Sequence, residues 1–271
     1  MSTANCVIRN RAMTREWQIA RTNRSKIIPI ARALNIPPIV VQILMARGID
    51  SLEGVKRFLN PAVEHIGDPF LLPDMEVACD RVTKAIRDRE KILIYGDYDV
   101  DGVSGTALLY RALKRMGAEN CTYDVPHRLH DGFGLSAVRV EQAKRENVSL
   151  IITVDNGSSA HDAANKAQEV GIDLIITDHH QPDQHLPCAM AIVNVARETG
   201  DHPSSQACGV AVAYKLAWAL TNEVHDLDLV ALGTIADVVP LVGENRDFVA
   251  TGLEWVCRLP RPGLAALARK A

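Results

Sequence analysis

The sequence predicts an α/β fold, a mostly parallel sheet with helices on both faces, preceded by a small helical segment. Three observations predict it. From Ile92 onward, short apolar runs alternate with amphipathic stretches of helical period, the βαβ rhythm of such a sheet. Three of those runs are followed at once by acid or imidazole. A chain of 271 residues that is 47% hydrophobic has material for a substantial core.

Residues 25–60 carry three short helix-like stretches, Ser25–Leu34, Pro38–Arg47 and Ser51–Leu59, separated by Pro37-Pro38 and by Gly48. A loop with Pro61, Pro69 and Pro73 leads to Met75–Arg89, where Val77, Ala78, Val82 and Ile86 fall at roughly helical spacing. The alternation then runs Ile92–Tyr95 and Val103–Met116, Cys121–Val125 and Ser136–Arg145, Leu150–Val154 and Ala160–Val170, then Leu174–Thr177 and a weaker run at Ala189–Val193. Two further helices are expected at Gly209–Leu220 and Leu227–Ile235. The expected division is a basic helical segment over residues 1–75 and the sheet domain over residues 76–271.

Several classes are excluded. There is no run of 18 or more apolar residues, and Asn5, Arg9, Arg11, Arg15 and Glu16 interrupt the N-terminus, so neither a membrane helix nor a signal peptide is expected. A cytoplasmic protein with no membrane partner is the expectation. Cys6, Cys79, Cys121, Cys188, Cys208 and Cys257 are scattered without a C-x-x-C pair, which argues against a zinc knuckle or a disulfide framework. The net charge of −3 is unevenly spread: residues 1–60 hold ten Lys/Arg against three Asp/Glu, a balance of +7, leaving −10 for the rest. An acidic domain repels phosphate unless cations sit in it, whereas the basic segment is either a surface for a polyanion or simply solvated. With 4% aromatic residues, a long base-stacking platform is not expected.

The residues that follow the strands carry the chemistry, because ligands of open α/β sheets bind beyond the carboxyl ends of the strands. Ile92–Tyr95 is followed by Gly96-Asp97-Tyr98-Asp99-Val100-Asp101-Gly102, Leu150–Val154 by Asp155-Asn156-Gly157, and Leu174–Thr177 by Asp178-His179-His180. Oxygen ligands with one or two imidazoles suit Mn²⁺ or Mg²⁺ better than zinc. Taken alone, each piece has an ordinary explanation. The aspartate triplet opens like a calcium loop, but its twelfth position is Leu108 and a helix follows; Asp-Asn-Gly makes turns, and a His-His pair is common on surfaces. Coincidence at three strand ends is a poor explanation. Ser104 and Thr106, at the start of the following helix, are read as caps before phosphate ligands, and Gly209 opens a helix at a point suited to an anion.

These motifs resemble those of the DHH phosphoesterase family. Asp97-Tyr98-Asp99-Val100-Asp101-Gly102, Thr153-Val154-Asp155-Asn156-Gly157, Thr177-Asp178-His179-His180-Gln181-Pro182 and Ala231-Leu232-Gly233-Thr234-Ile235-Ala236-Asp237-Val238-Val239-Pro240-Leu241 match its four motifs in order. The triple aspartate, with Pro126-His127-Arg128 before Asp131-Gly132-Phe133-Gly134-Leu135, resembles the RecJ branch of that family. Phe133 stands where the family usually has Tyr, and Arg197–Gln206 departs from the expected pattern. The RecJ branch also continues into a DHH-associated domain and an oligonucleotide-binding barrel, which this sequence does not reach by Ala271.

The resemblance implies a metal-dependent phosphodiesterase, a 5′-to-3′ exonuclease on single-stranded DNA serving repair and recombination. Its catalytic domain would hold two divalent cations, Mn²⁺ or Mg²⁺. Asp155 would bridge them; Asp99 would hold one, Asp101, His179 and Asp237 the other, and Asp97 would add a further acid. His180 would donate to the scissile phosphate, with Arg128, His127 and Gly209 also toward substrate. A protein partner would supply the missing clamp. Two other readings stay open: hydrolysis of short oligonucleotides or small phosphate esters, and a non-catalytic nucleic-acid-binding scaffold. Against the scaffold stand the intact acids Asp97, Asp99, Asp101, Asp155, Asp178 and Asp237, costly to keep together without cations.

Overall fold

The computed structural model describes residues 6–8, 17–19, 24–129, 132–197, 204–258 and 261–270. Asp131, residues 198–203 and the basic Arg9, Arg11 and Arg15, all singled out above, lie outside them. The chain divides into two compact units, Met1–Pro61 and Ala62–Ala271.

In the first unit β1 (Cys6–Ile8) pairs antiparallel with β2 (Trp17–Ile19). Three helices follow: α1 (Arg24–Leu34), α2 (Pro38–Ala46) and α3 (Leu52–Leu59). The starts of α2 and α3 follow from the sequence. Proline occupies the first turn of α2, where its missing N–H is unneeded, and Ser51 Oγ accepts the Gly54 amide to cap α3. Ile27, Ile30, Ala31, Val41, Leu44 and Val55 form a small core of their own.

The second unit is built on five parallel strands in the order β4-β3-β5-β6-β7: β3 (Ile92–Gly96), β4 (Cys121–Asp124), β5 (Leu150–Val154), β6 (Asp173–Asp178) and β7 (Ala191–Asn194). β3 and β5 are buried along their whole length, the reason they read as continuous apolar runs. Alternate side chains serve two cores. Ile92, Ile94, Leu150 and Ile152 face α4 (Met75–Arg87), α5 (Val100–Arg115) and α8 (Gly209–Thr221). Leu93, Tyr95, Ile151 and Ile176 face α6 (Ala137–Arg145) and α7 (His161–Val170). On the outer side of the first layer α9 (Leu227–Ala236) packs on α5, and α10 (Gly243–Arg258) packs on α9; α11 (Pro262–Ala268) follows. Among the described residues no helix is long and apolar enough to cross a membrane.

Two buried polar clusters brace this unit. Lys215 and Glu244, each 1% exposed, pair at 3.1 Å, and Glu244 also accepts the Gly67 amide and the Ser204 hydroxyl. Asp226 accepts from Arg111, Arg115 and Arg261, and Arg261 also reaches Asp228, linking α5, α9 and the start of α11. Burial opposes ionisation of Asp226, yet the bonds from Arg261 and Arg115 hold its carboxyl below the usual range.

The start of α5 differs from expectation. It begins at Val100 because Asp99 is the cap, its Oδ1 accepting the Gly102 amide at 2.9 Å. Ser104 and Thr106 are therefore not caps: they lie inside the helix and are buried.

Candidate metal centre

The strand order makes the end of β3 and β5 the point where the chain reverses its path across the sheet, the expected position of a ligand crevice. Asp97 follows β3, Asp155 follows β5, and β6 ends on Asp178 just before His179 and His180. Asp101 arrives from the first turn of α5 and Asp237 from the C-terminal cap of α9.

Asp155 is the centre of the arrangement. Its backbone is left-handed, φ 63, a conformation aspartate tolerates better than most residues, and its amide donates to Thr177 O at 2.9 Å. Its side chain is buried, with Oδ1 3.1 Å from His179 Nε2 but out of line for a hydrogen bond. Asp97 Oδ1 is also buried without a hydrogen-bond partner. Asp101 accepts the Gly209 amide at 2.6 Å and the Val210 amide at 2.9 Å, which fixes it against the N-terminus of α8.

Three groups of side chains each bring one ligand atom apiece within 4.8 Å of one another: Asp97, Asp99 and Asp155; Asp155, His179 and His180; Asp101, His179 and Asp237. Asp155 and His179 each belong to two groups. Two buried carboxylate oxygens without donors, inside overlapping acid and imidazole clusters, fit a divalent cation by charge and donor type. The electrostatics agree with the geometry. Burial pushes the Asp155 carboxyl far up, and the nearby Asp101 and Asp99 add to the rise. Burial likewise raises Asp101 to about 6 and lifts Asp97 and Asp237 above the usual range.

His180 is held differently. Its Nδ1 lies 2.8 Å from Asp178 Oδ1, and that bond raises the imidazole to about 9. Asp178 is buried and also accepts the amides of Ser158, His179 and His180. The ring is half exposed and stands edge-on to Phe133, with centroids 5.9 Å apart. Beside it opens a cleft of about 600 Å³, walled by Phe133, Leu135, Val138, Ala160 and His161.

The other predicted substrate residues separate. Arg128 is exposed, with Cζ 5.3 Å from the centre of the Tyr98 ring, so it lies over the loop that carries Asp97 and Asp99. His127 is exposed, and its Nδ1 accepts the Leu129 amide at 3.3 Å. Gly209 is buried, and its amide faces Asp101. Sequence reasoning gave no role to Val210 and only a place among the acids to Asp178. Val210, next to Gly209 at a helix start, offered a weak signal; the Asp178 to His180 bond, two residues apart, offered none that distinguishes it from a turn.

A family model described as the DHH family, N-terminal domain, matches residues 91–234. The chain is 42% identical over 253 residues to the single-stranded-DNA-specific exonuclease RecJ of Bacillus subtilis (strain 168), covering 93% of this chain and 32% of that protein. It is 37% identical over 251 residues to the protein of the same description from Escherichia coli (strain K12), covering 86% and 43%. The structure of RecJ in complex with Mn²⁺ from Thermus thermophilus superposes with a TM-score of 0.77 at 30% identity, covering 92% of this chain and 36% of that one. A second structure, exonuclease RecJ bound to manganese, gives a TM-score of 0.67 at 36% identity, covering 73% and 52%. The chain thus spans between about a third and a half of the length of these relatives.

Proposed function

The chain belongs to the DHH family, and from that premise we propose that it hydrolyses phosphodiester bonds of single-stranded DNA, from the 5′ end, with two divalent cations, Mn²⁺ or Mg²⁺. The relatives described as single-stranded-DNA-specific exonucleases, and the neighbours solved with Mn²⁺ or Mg²⁺, support the substrate and the cations. The observation that carries the reading is the position of Asp155. It is buried, shared by two ligand groups, and has one oxygen without a donor.

Asp97, Asp99 and Asp155 would hold one cation and Asp101, His179 and Asp237 the other, with Asp155 between them. When bound, the pair neutralises the pocket and stabilises charge that develops on the entering and leaving oxygens of an in-line displacement. The chain's own groups do the rest. Asp178 keeps the Nδ1 edge of His180 occupied, so Nε2 is the edge offered to a phosphate oxygen. Arg128, stacked on Tyr98, presents a guanidinium above the same loop for a phosphate one step along the strand. Gly209 and Val210 hold Asp101 by their amides and so act on the acid.

The test is incubation of the chain with end-labelled single-stranded DNA, duplex DNA and dinucleotides, with Mn²⁺ or with chelator. Metal-dependent release of mononucleotides from the 5′ end of single strands is expected. Cleavage confined to dinucleotides replaces the exonuclease reading with one on short oligonucleotides, and no cleavage of any arm removes the enzymatic reading.

A further inference from the structure

We propose that Asn245 is a positioning residue that keeps Asp237 in reach of Asp101 and His179, an inference that rests on the two-cation reading above. Asn245 stands in the first turn of α10 and is 2% exposed. Its Nδ2 donates to Gln206 O at 2.7 Å and to Pro240 O at 3.1 Å. Gln206 lies just before Gly209, whose amide fixes Asp101, and Pro240 lies just after Asp237. One side-chain amide therefore ties together the two loops that set the acids of the Asp101, His179 and Asp237 group. The residue before it reinforces one of them, since Glu244 Oε2 accepts the Ser204 hydroxyl at 2.8 Å.

The backbone explains why a tie is needed. Val238, next to Asp237, has φ 61. A β-branched residue is a true outlier in the left-handed region, and such a conformation persists only where its surroundings over-determine it. Packing does not hold Val238, whose side chain is 83% exposed. Main-chain anchors do. On one side the Asp237 amide donates to Gly233 O at 2.9 Å and the Val238 amide to Ile235 O at 3.3 Å; on the other, Pro240 O receives the Val242 amide at 2.9 Å and Asn245 Nδ2 at 3.1 Å, and of these Asn245 is the donor that also reaches the Gln206 loop. With the Asn245 bonds gone, the tie to the Gln206 loop is lost, the backbone relaxes at Val238 and the neighbouring carboxylate turns away from its group.

The experiment is a titration of Mn²⁺ into the ion-free chain, read by calorimetry for stoichiometry and affinity and by electron paramagnetic resonance for coupling between two ions. It compares wild type, Asn245→Asp, Asn245→Ser and Asn245→Asp with Val238→Gly. Asn245→Asp puts a carboxylate against two carbonyl oxygens. It should bind the first ion as wild type does, bind the second at least about tenfold more weakly, and lose the coupled signal. Asn245→Ser should do the same to a smaller degree, and it decides the matter alone where circular dichroism shows Asn245→Asp unfolded. Val238→Gly should restore part of the second site, because glycine adopts the same φ without strain. Two ions bound with wild-type affinity in both single variants would overturn the proposal, as would equal weakening of both ions in a folded variant or no recovery with Val238→Gly. A wild-type chain that binds fewer than two ions overturns the two-cation reading itself, a result seen before any variant is made.

Discussion

Gly209 and Asp155 are in contact so close that a Cβ on the glycine would stand 2.5 Å from the Cβ of the aspartate. The clash is with the root of a buried side chain whose backbone is fixed by the sheet, so nothing nearby gives way cheaply. Gly209→Ala should therefore displace Asp155 and cost about 1–3 kcal/mol of stability. Thermal unfolding with and without Mn²⁺ checks it: both the ion-free melting temperature and the Mn²⁺-induced rise should fall. An unchanged rise would show that Asp155 takes no part in holding the ion.

Asp155→Asn separates charge from shape. The amide keeps the size of the side chain and tolerates the left-handed backbone, but it removes a carboxyl whose ionisation is opposed by burial and by Asp101 and Asp99, and so removes the cost of keeping it protonated in the ion-free fold. The ion-free variant should unfold at a higher temperature than wild type. Its stabilisation by Mn²⁺, which follows mass action on the folded state alone, should largely vanish, and activity should drop by at least tenfold, or about 1.4 kcal/mol in the barrier.

The metal-induced stabilisation should grow with pH. Asp101 and Asp155 have folded values raised to about 6 and about 10, above the ordinary aspartate value of 3.8. Groups raised in this way favour the ion-free fold fully below the unfolded value, and that contribution is lost as pH rises through the folded value. Ion binding must expel those protons. Between pH 5 and pH 8 the rise in melting temperature on adding Mn²⁺ should therefore increase, with proton release measurable as a dependence of the calorimetric heat on buffer ionisation enthalpy. A rise that is flat with pH would contradict the assignment of these two acids.

Asp178→Asn should move the titration of His180. The bond from Nδ1 to Asp178 is the main cause of its raised value of about 9. The stability that protonated His180 contributes is fully present below the unfolded value of 6.5 and lost as pH rises through about 9. In the variant, proton NMR of the ion-free chain should place the His180 midpoint near 6.5, while the Asp101, His179 and Asp237 group still takes up Mn²⁺. A midpoint that stays near 9 would assign the shift to other acids.

Arg128→Ala should weaken binding of single-stranded DNA by roughly 1.5–3 kcal/mol, the range for a hydrogen bond to a charged group. It should also reduce the dependence of log affinity on log salt by about 0.7. Stabilisation by Mn²⁺ should stay as in wild type, because Arg128 lies against Tyr98 and is a member of none of the three ligand groups found among the described residues. Equal affinity of the two proteins at low salt would remove Arg128 from the DNA path.

The strands and the residues that follow them were legible because both signals are local: an apolar run of four to six residues, then an acid. What the sequence hid depends on distant partners. The helix α10 was missed because Glu244, Asn245 and Asp247 occupy its buried face and break the apolar period, and their partners Gly67, Gln206 and Ala62 are far along the chain. The start of α5 was misplaced because Asp99, one of the candidate ligands, is also a cap. Gly209 looked like a free anion site because nothing near it in sequence reveals that Asp101 receives its amide.

The left-handed turn at Asp155 has a consequence for how such a chain could change over generations. The backbone there admits few residues at low cost, with glycine, asparagine and aspartate foremost. Asparagine is one nucleotide exchange away from aspartate and leaves the turn intact while removing the charge. The cheapest inheritable change at the heart of the site would therefore silence the chemistry proposed for it and keep the fold. A lineage relieved of the need for that proposed chemistry would cross into a non-catalytic life as a binding scaffold in a single step, without passing through an unfolded intermediate.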